Sequence, residues 1–526
     1  METITAEYIV SAESAEIDRV AREIAFEQTV EVPEALVTSE AILRDVVGQV
    51  VAIQPISDDE FSFRVRIEFN ADLANAQISQ LLNLLFGNIS IKNNIKLVDV
   101  ALPADFLRHF HGPNFGVDGV RQLCGVFGRP LLSTALKPRG STHEELARIA
   151  YQFAIGGGDI IKDDHNLVDS CLDEFKARVS RCQKAVQRAN QETGRSTLYF
   201  PYVLGPQDQL QAYIDFVLSI GIQGVLLSPF LIGLDTVRFL AETYPLVIMT
   251  HPTFAGTFFH DPAHGMAPGL MLGKLVRLIG GDISVFPNYG GRFSFRREDC
   301  HNIQRQLQND FGHLARSLPA PAGGMRFENL PQMAEQYGPD AVFLIGGALL
   351  SDSSDLTRST RKFLEAIRAA FPQHRDENAN ANWHSACELP AGPTAEAVLN
   401  HLPFRDDFSW VGRAVSEYKG SQVLPFQGVK RHELIGQHGE RTRFDLRYFE
   451  IGPNGYSSLE KHVHTHAIIC IRGKGVLQIN DEIIELKPFD IAYVPPLAVH
   501  QLRNNEQEPF GFFCIVDHDR DRPMKP

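Results

Sequence analysis

The chain has few of the features that would send it out of the cell or onto nucleic acid. Its seven cysteines are scattered, with no C-x-x-C pair. That argues against a disulfide framework and for a reducing, cytoplasmic setting. The first ten residues carry Glu2 and Glu7 and show no positive region followed by an apolar one, so no secretory signal is expected. No uninterrupted apolar stretch approaches the roughly 18–20 residues of a spanning helix. No basic run with interleaved aromatics appears, and the formal net charge is −14. Nucleic acid and anionic membranes are therefore not expected as partners. There is no internal repeat. What is present is apolar content enough for several cores in 526 residues, so about two to four domains are expected.

Residues 1 to about 110 mix short alternating runs, such as Phe61–Phe69, with one strong helical segment, Asp72–Leu85. This reads as a small α+β domain. A different rhythm fills residues 111–373. Apolar runs end in polar or Gly/Pro residues, and helical stretches such as Glu144–Ala154 and Asp169–Thr193 follow them. The runs are Leu131–Pro138, Asp159–His165, Leu198–Gly205, Gly224–Pro229, Leu246–Pro252, Ile283–Asn288, Ser317–Gly323 and Ala341–Gly347. Eight such units in roughly 240 residues predict a closed (β/α)8 TIM barrel. Active sites of such barrels lie at the C-terminal strand ends, where Lys137, Lys162, Asp164, His251, Asn288 and Gly346 fall. Residues 374–423 are rich in Asn, Glu, Pro and Gly, with apolar islands at Ala397–Leu402 and Trp410–Val411, and read as a linker. Residues 424–526 alternate as short strands and predict an all-β barrel or jelly roll.

The densest chemistry lies in Gly156–Asn166, Gly-Gly-Gly-Asp-Ile-Ile-Lys-Asp-Asp-His-Asn. Addition of CO2 to the Lys162 amine would turn a cation into a carbamate, an oxygen ligand. Lys162, Asp164 and His165 would then hold one divalent ion. Taken alone, the same run also reads as an ion-paired Lys-Asp cluster at a strand end. Gly323-Gly324 and Gly346-Gly347 offer backbone amides to a phosphate, although glycine pairs are most often turns. Further on, Glu460-Lys-His-Val-His-Thr-His466 alternates ionisable side chains, which share one face of a strand. His500 follows in Pro495-Pro-Leu-Ala-Val-His500, with Asn504 just beyond it.

The barrel motifs resemble the RuBisCO large chain. They are Asp105-Phe-Leu-Arg-His-Phe-His-Gly-Pro-Asn-Phe-Gly116, Gly128-Arg-Pro-Leu-Leu132, Thr134-Ala-Leu-Lys-Pro-Arg-Gly140, the Gly156–Asn166 run and the two glycine pairs, in the family's order. The resemblance covers roughly residues 5–372. It implies a ferredoxin-like α+β N-terminal domain, a catalytic barrel binding Mg2+ through carbamylated Lys162, and a homodimer or higher homo-oligomer with shared active sites. Glu27 and Asn88 match the residues that the partner's N-terminal domain contributes. Lys137 matches the enolising lysine, a group that can act as a base when desolvated near a metal.

Several family positions differ. Arg139 replaces the strand's second lysine and is a poor base. His165 replaces a glutamate ligand, which makes Mn2+ or another ion an alternative to Mg2+. His251 is kept, but Pro252, Val285 and Ala322 replace the arginine, histidine and serine that grip one phosphate. Arg292, in the loop Pro287-Asn-Tyr-Gly-Gly-Arg292, takes the place of the lysine that polarises CO2. Ribulose-bisphosphate carboxylation is therefore not expected. The chain is similar to the RuBisCO-like (form IV) proteins, which form an enediolate from a phosphorylated sugar or sugar acid. A small phosphorylated substrate and a decarboxylase-type reaction are the leading expectation.

The histidine run with His500 resembles the two motifs of the cupin fold. With Gly473 setting the register, the resemblance implies the ligands Glu460, His462, His466 and His500, with His464 as an acid, base or deeper residue. Such a mixed set suits Mn2+, Fe2+, Ni2+ or Zn2+. The ending Gly511–Pro523, with Ser457–His462, is similar to a cupin group that includes a methylsulfurylase. Two alternatives follow. One is a methylthioribulose 1-phosphate isomerase-like barrel with a carbon–sulfur-cleaving cupin in methylthioadenosine salvage. The other is an inactive barrel with a metabolite-sensing cupin.

Overall fold

The computed structural model describes residues 2–56, 59–376, 401–417, 425–438, 442, 444–462 and 464–517. Most of the expected linker, most of the Ala397–Leu402 island and residues 518–523 of the C-terminal motif lie outside them. The chain divides into two compact units, Met1–Trp383 and His384–Pro526. Among the described residues no helix is long and apolar enough to cross a membrane.

The N-terminal sheet has Ile95–Ala101, Thr3–Ser11, Asp59–Asn70 and Gln49–Ile56 antiparallel and side by side in that order, with the short Gly265–Met266 added in parallel on the Ile95–Ala101 edge. Helices Ile17–Glu27 and Ile78–Phe86 complete the ferredoxin-like βαββαβ order. Alternation along Thr3–Ser11 buries Ile4, Ala6, Tyr8 and Val10, as a half-covered strand requires. The helical segment expected over Asp72–Leu85 is interrupted. A 3-10 turn, Ala71–Ala74, precedes Asn75 and Ala76 at φ 47° and 51°, and the α-helix starts at Ile78. Left-handed residues cannot sit inside a right-handed helix. Periodicity detects the shared apolar face but not this break. Helix Ile17–Glu27 was not anticipated.

Eight parallel strands form the barrel: Leu131–Leu136, Ile160–Asp163, Leu198–Phe200, Gly224–Leu227, Val247–Thr250, Ile283–Pro287, Leu318–Ala322 and Val342–Leu344. The parallel bridge Tyr202–Leu226 closes the ring between the third and fourth. All eight expected runs are strands, and each strand is shorter than its run. The chain leaves the sheet where the site loops begin. Leu131, Ile160, Phe200, Leu226, Val247, Ile283, Leu318 and Val342 pack together inside the ring. Helix His143–Ile155 starts at a capping box between Thr142 and Glu145. At the base, Arg375–Asp376 pairs with Val126–Phe127. Fully buried Arg129 meets Asp159 at 2.7 Å and Asp376 at 3.0 Å, so residues just past the last helix still pack on the barrel.

Among the described residues the second unit holds a nine-stranded antiparallel barrel and a short hairpin, Phe404–Arg405 with Ser409–Trp410. Phe444–Tyr456, Phe510–Asp517 and His466–Arg472 lie side by side in it. Its interior is lined by Phe449, Ile451, Ile468, Leu477, Phe512 and Cys514. Strands Gln427–Ile435 and His500–Arg503 were not expected. The histidine run is not one continuous strand. Residues 457–459 leave the sheet, Glu460 makes an isolated bridge to His500, and regular pairing resumes at His466.

Candidate functional site

Strand alternation sets the barrel site. On Ile160–Asp163 and its continuation, Lys162 and Asp164 turn into the barrel mouth and Asp163 turns outward. Asp163 is fully buried and accepts hydrogen bonds from Arg178 (2.7 Å), the Tyr199 hydroxyl (2.8 Å) and the Tyr202 N–H (3.0 Å). Arg178 also binds Asp169. This network pins the strand end that carries Lys162.

Lys162 is buried and its Nζ donates to the Asp163 carbonyl at 2.9 Å. Burial, reinforced by the neighbouring Lys137 against the pull of Asp164, brings its amine down to about 8. A neutral amine is the form that adds CO2. Lys137 Nζ, from the first strand, lies 3.4 Å from Asp164 Oδ2. A Cβ placed on Gly346 would stand 3.6 Å from the same Nζ. Lys137 thus sits between the carboxylate and the eighth strand's glycines. His165 Nδ1 is 3.6 Å from Asp164 Oδ1, and its ring stacks on His251 at 4.3 Å. Burial and the surrounding cations keep His251 neutral. Its Nδ1 accepts from the Thr253 N–H at 3.2 Å and lies 2.5 Å from the Thr253 hydroxyl. The proton of the neutral ring is therefore on Nε2.

These residues line a cavity of about 1680 Å3 together with Arg292, Gly323, Gly324, Gly346 and Gly347. Pro252, Val285 and Ala322 line it as well, with Phe254, Phe259 and Phe295. Three expected residues lie elsewhere. Asn288 is buried with its amide against Met333 and Tyr337, turned away from the mouth. Glu27 and Asn88 are joined by a 3.0 Å hydrogen bond on the N-terminal domain and do not line their own chain's cavity. Sequence reading missed Lys96, Arg296 and Arg326, all of which line it. Arg326 stands two residues after Gly324, and that proximity was the available signal. Lys96 had none, because it arrives from the N-terminal sheet.

In the second unit, nitrogen atoms of His462, His466 and His500 lie within 4.8 Å of one another. The His462 Nδ1–H donates to the His464 carbonyl at 2.7 Å, and the His500 Nδ1–H to the Ala498 carbonyl at 3.0 Å. Such bonds leave Nε2 as the lone-pair nitrogen. The Nε2 atoms of His462 and His466 are buried without a protein partner. Burial and the neighbouring imidazoles push His462 down to about 4 and hold His466 well below its usual value. Neutral rings with buried, unpaired nitrogens fit a transition-metal ion. Glu460 is buried beside this group but stands outside it, and accepts from the Ser458 hydroxyl at 2.6 Å. His464 stacks on His462 at 3.6 Å.

Residues 116–288 match the family model for the ribulose bisphosphate carboxylase large chain, catalytic domain. A ribulose bisphosphate carboxylase-like protein 1 of Rhodopseudomonas palustris is 40% identical over 367 residues, 70% of this chain and 98% of the relative. The chain belongs to the RuBisCO large-chain family. A 5-methylthioribulose-1-phosphate isomerase of Rhodospirillum rubrum is 38% identical, over 70% of this chain and 96% of that one. The dimeric archaeal RuBisCO of Hyperthermus butylicus superposes with a TM-score of 0.65 at 26% identity, over 70% of this chain and 91% of that one. Residues 447–516 match the cupin domain model, in agreement with the antiparallel barrel. The family's glycine pairs are retained at the cavity, and one has a steric reason. Gly324 has φ +67°, and a Cβ there would come within 2.9 Å of Gly291. Gly324→Ala must therefore push the sixth loop, which carries Arg292, off the seventh. At least about a tenfold loss in kcat/KM is expected, with about 1–3 kcal/mol lost in stability. Steady-state kinetics and thermal melts check both.

Proposed function

We propose that the barrel enolises a ketose monophosphate whose far end is apolar, and isomerises it as a 5-methylthioribulose-1-phosphate isomerase does. One observation carries this reading: a single cavity joins backbone-glycine rims to an apolar wall. Gly323, Gly324, Gly346 and Gly347 offer amides for one phosphate. Pro252, Val285 and Ala322 supply no charge for a second. The two ends sit on different strands around the mouth, the fifth for Pro252 and the eighth for Gly346, so one extended substrate spans them. The isomerase relative's 38% identity supports the same reading.

Lys162, as its carbamate, with Asp164 and His165 would hold a divalent ion such as Mg2+. Their oxygen and imidazole donors fit that role, and the buried, partly neutral amine fits the modification. The ion, when bound, withdraws electrons from the substrate carbonyl. Lys137 is placed to take a proton from the hydroxyl-bearing carbon beside that carbonyl and return it to the carbonyl carbon, while the hydroxyl proton passes to the former carbonyl oxygen. Its position between Asp164 and Gly346 puts it between the metal group and the phosphate rim. His251 offers an Nε2–H to a substrate oxygen. Arg292, exposed on the sixth loop, closes the rim as a cation. Glu27 and Asn88 serve the partner's cavity in a homo-oligomer. For the C-terminal unit we propose a metal-dependent small-molecule site on His462, His466 and His500, with Glu460 as a nearby carboxylate.

Mass spectrometry of products from a panel of sugar monophosphates and bisphosphates tests the barrel reading, with the intact protein and His462→Ala run in parallel. An aldose–ketose or ketose–ketose isomer of unchanged mass is the expected product. Loss of 44 mass units would replace isomerisation by decarboxylation, the reaction expected from sequence. Loss of methanethiol that disappears in His462→Ala would assign carbon–sulfur cleavage to the cupin. In calorimetry, monophosphates should bind at least about tenfold tighter than the matching bisphosphates, because the wall of Pro252, Val285 and Ala322 would desolvate a second phosphate without offering it a charged partner. Equal affinity contradicts the apolar-end argument.

A further inference from the structure

Among the described residues, one buried charge in the C-terminal barrel forms no ion pair. On Phe444–Tyr456 the residues Arg447, Phe449 and Ile451 share the inward face. Arg447 is only 8% exposed. It pairs across the sheet with Cys514, which in turn pairs with Ile468, two residues from His466. Its Nη2 donates to Cys514 Sγ at 3.4 Å, and the same sulfur lies 3.7 Å from His466 Nδ1. The guanidinium rests on the Phe449 ring at 5.1 Å. Its Nε is buried with no hydrogen-bond partner. The carboxylates on its own strand are engaged elsewhere, and Glu460 accepts from Ser458. Asp445, on the same face, accepts from Gln437 at 2.8 Å. Glu450, on the opposite face, binds Arg472 and Lys430.

An arginine stays protonated in a protein interior, and a buried charge without a partner is expensive. The cost is compounded here. One thiol away stands His466, a member of the histidine group suited to a dication, and an ion held there would add a second positive centre. An anion held by the guanidinium beside the thiol offsets both charges. We propose that Arg447 and the edge formed by His462, His466 and His500 make one oxyanion-binding site. Its ligand is a small carboxylate or phosphate, with two oxygens on the planar guanidinium and the rest of the molecule toward the histidine Nε2 atoms. The inference shares the metal-site reading of these histidines but depends only on the arginine for its test.

The full chain and its Arg447→Gln variant are compared by calorimetry and thermal melts, with oxalate and inorganic phosphate as probes, with and without added Mn2+. Probe binding in the other unit is common to both proteins and cancels in the comparison. Arg447→Gln is expected to melt no lower than the parent without probe, and to bind at least one probe about tenfold or more weakly. Loss confined to oxalate identifies a carboxylate ligand; loss confined to phosphate identifies a phosphate ester. The loss should persist without Mn2+, which separates the arginine's role from that of the metal. Equal binding of both probes by parent and variant overturns the proposal. Should the glutamine variant fail to fold, Arg447→Lys keeps the charge but lacks the paired donors. Undiminished probe binding by that variant overturns the proposal equally.

Discussion

Lys162→Ala is expected to reduce barrel turnover on the order of a thousandfold or more, the several kcal/mol that a Lewis-acid ion supplies. Among the described residues, the substitution removes the one lysine whose amine is both buried and drawn toward neutrality by that burial. Without the carbamate, Asp164 and His165 alone are a poor site for a hard divalent ion, which prefers several oxygen ligands. Metal content should therefore fall from about two ions per chain to about one, the histidine group of the other unit keeping its own. Product mass spectrometry and elemental analysis read the two effects separately. Alanine should be tolerated structurally, because the adjoining Asp163–Arg178–Tyr199 network still holds the strand end. Full turnover by Lys162→Ala would sink the carbamate and leave the ion-pair reading of Gly156–Asn166.

The second large effect is complementation between two inactive proteins. Glu27 and Asn88 are hydrogen-bonded to each other and lie away from their own chain's cavity. If they complete the partner's site, Glu27→Gln should lose about a hundredfold or more in kcat, as removal of a positioned proton-transfer group does. Its own Lys162 machinery stays intact. Mixing Glu27→Gln with Lys162→Ala under conditions that exchange subunits then rebuilds one complete site in each mixed dimer. Random pairing gives about a quarter of the parental sites. Recovered activity that tracks the mixed species in native mass spectrometry supports shared sites. No recovery, with mixed dimers present, would place Glu27 outside the chemistry.

Much of this was legible because the signals are local. Each barrel strand announced itself as an apolar run closed by a polar or Gly/Pro residue. The period of those runs predicted the ring, and strand-end position predicted Lys137, Lys162, Asp164 and His251 as neighbours. Boundaries were overdrawn because the same apolar residues continue into loops that cover the mouth. The break at Asn75–Ala76 was missed because an apolar face survives a helix interruption. The histidine run was read as strand, yet its turn out of the sheet still delivers His462 and His466 to one point. Asn288 was placed at the right strand end, but its side chain is taken up by Tyr337 and Met333 in the outer layer. Alternation gives a face, not a partner.

By itself the sequence determined the kind of protein: two successive periodicities and a strand end bearing a lysine among carboxylates. Those are properties of neighbours along the chain, governed by turn chemistry and by residue type. Only the tertiary structure decided which charges meet. Pairing of the first two strands brings Lys137 to Asp164, the N-terminal sheet carries Lys96 to the cavity, and Glu27 stays outside it. Arg447 is left one thiol from His466 with no ion pair among the described residues. Burial and Coulomb energy depend on distance in space, and folding sets that distance between residues far apart in sequence.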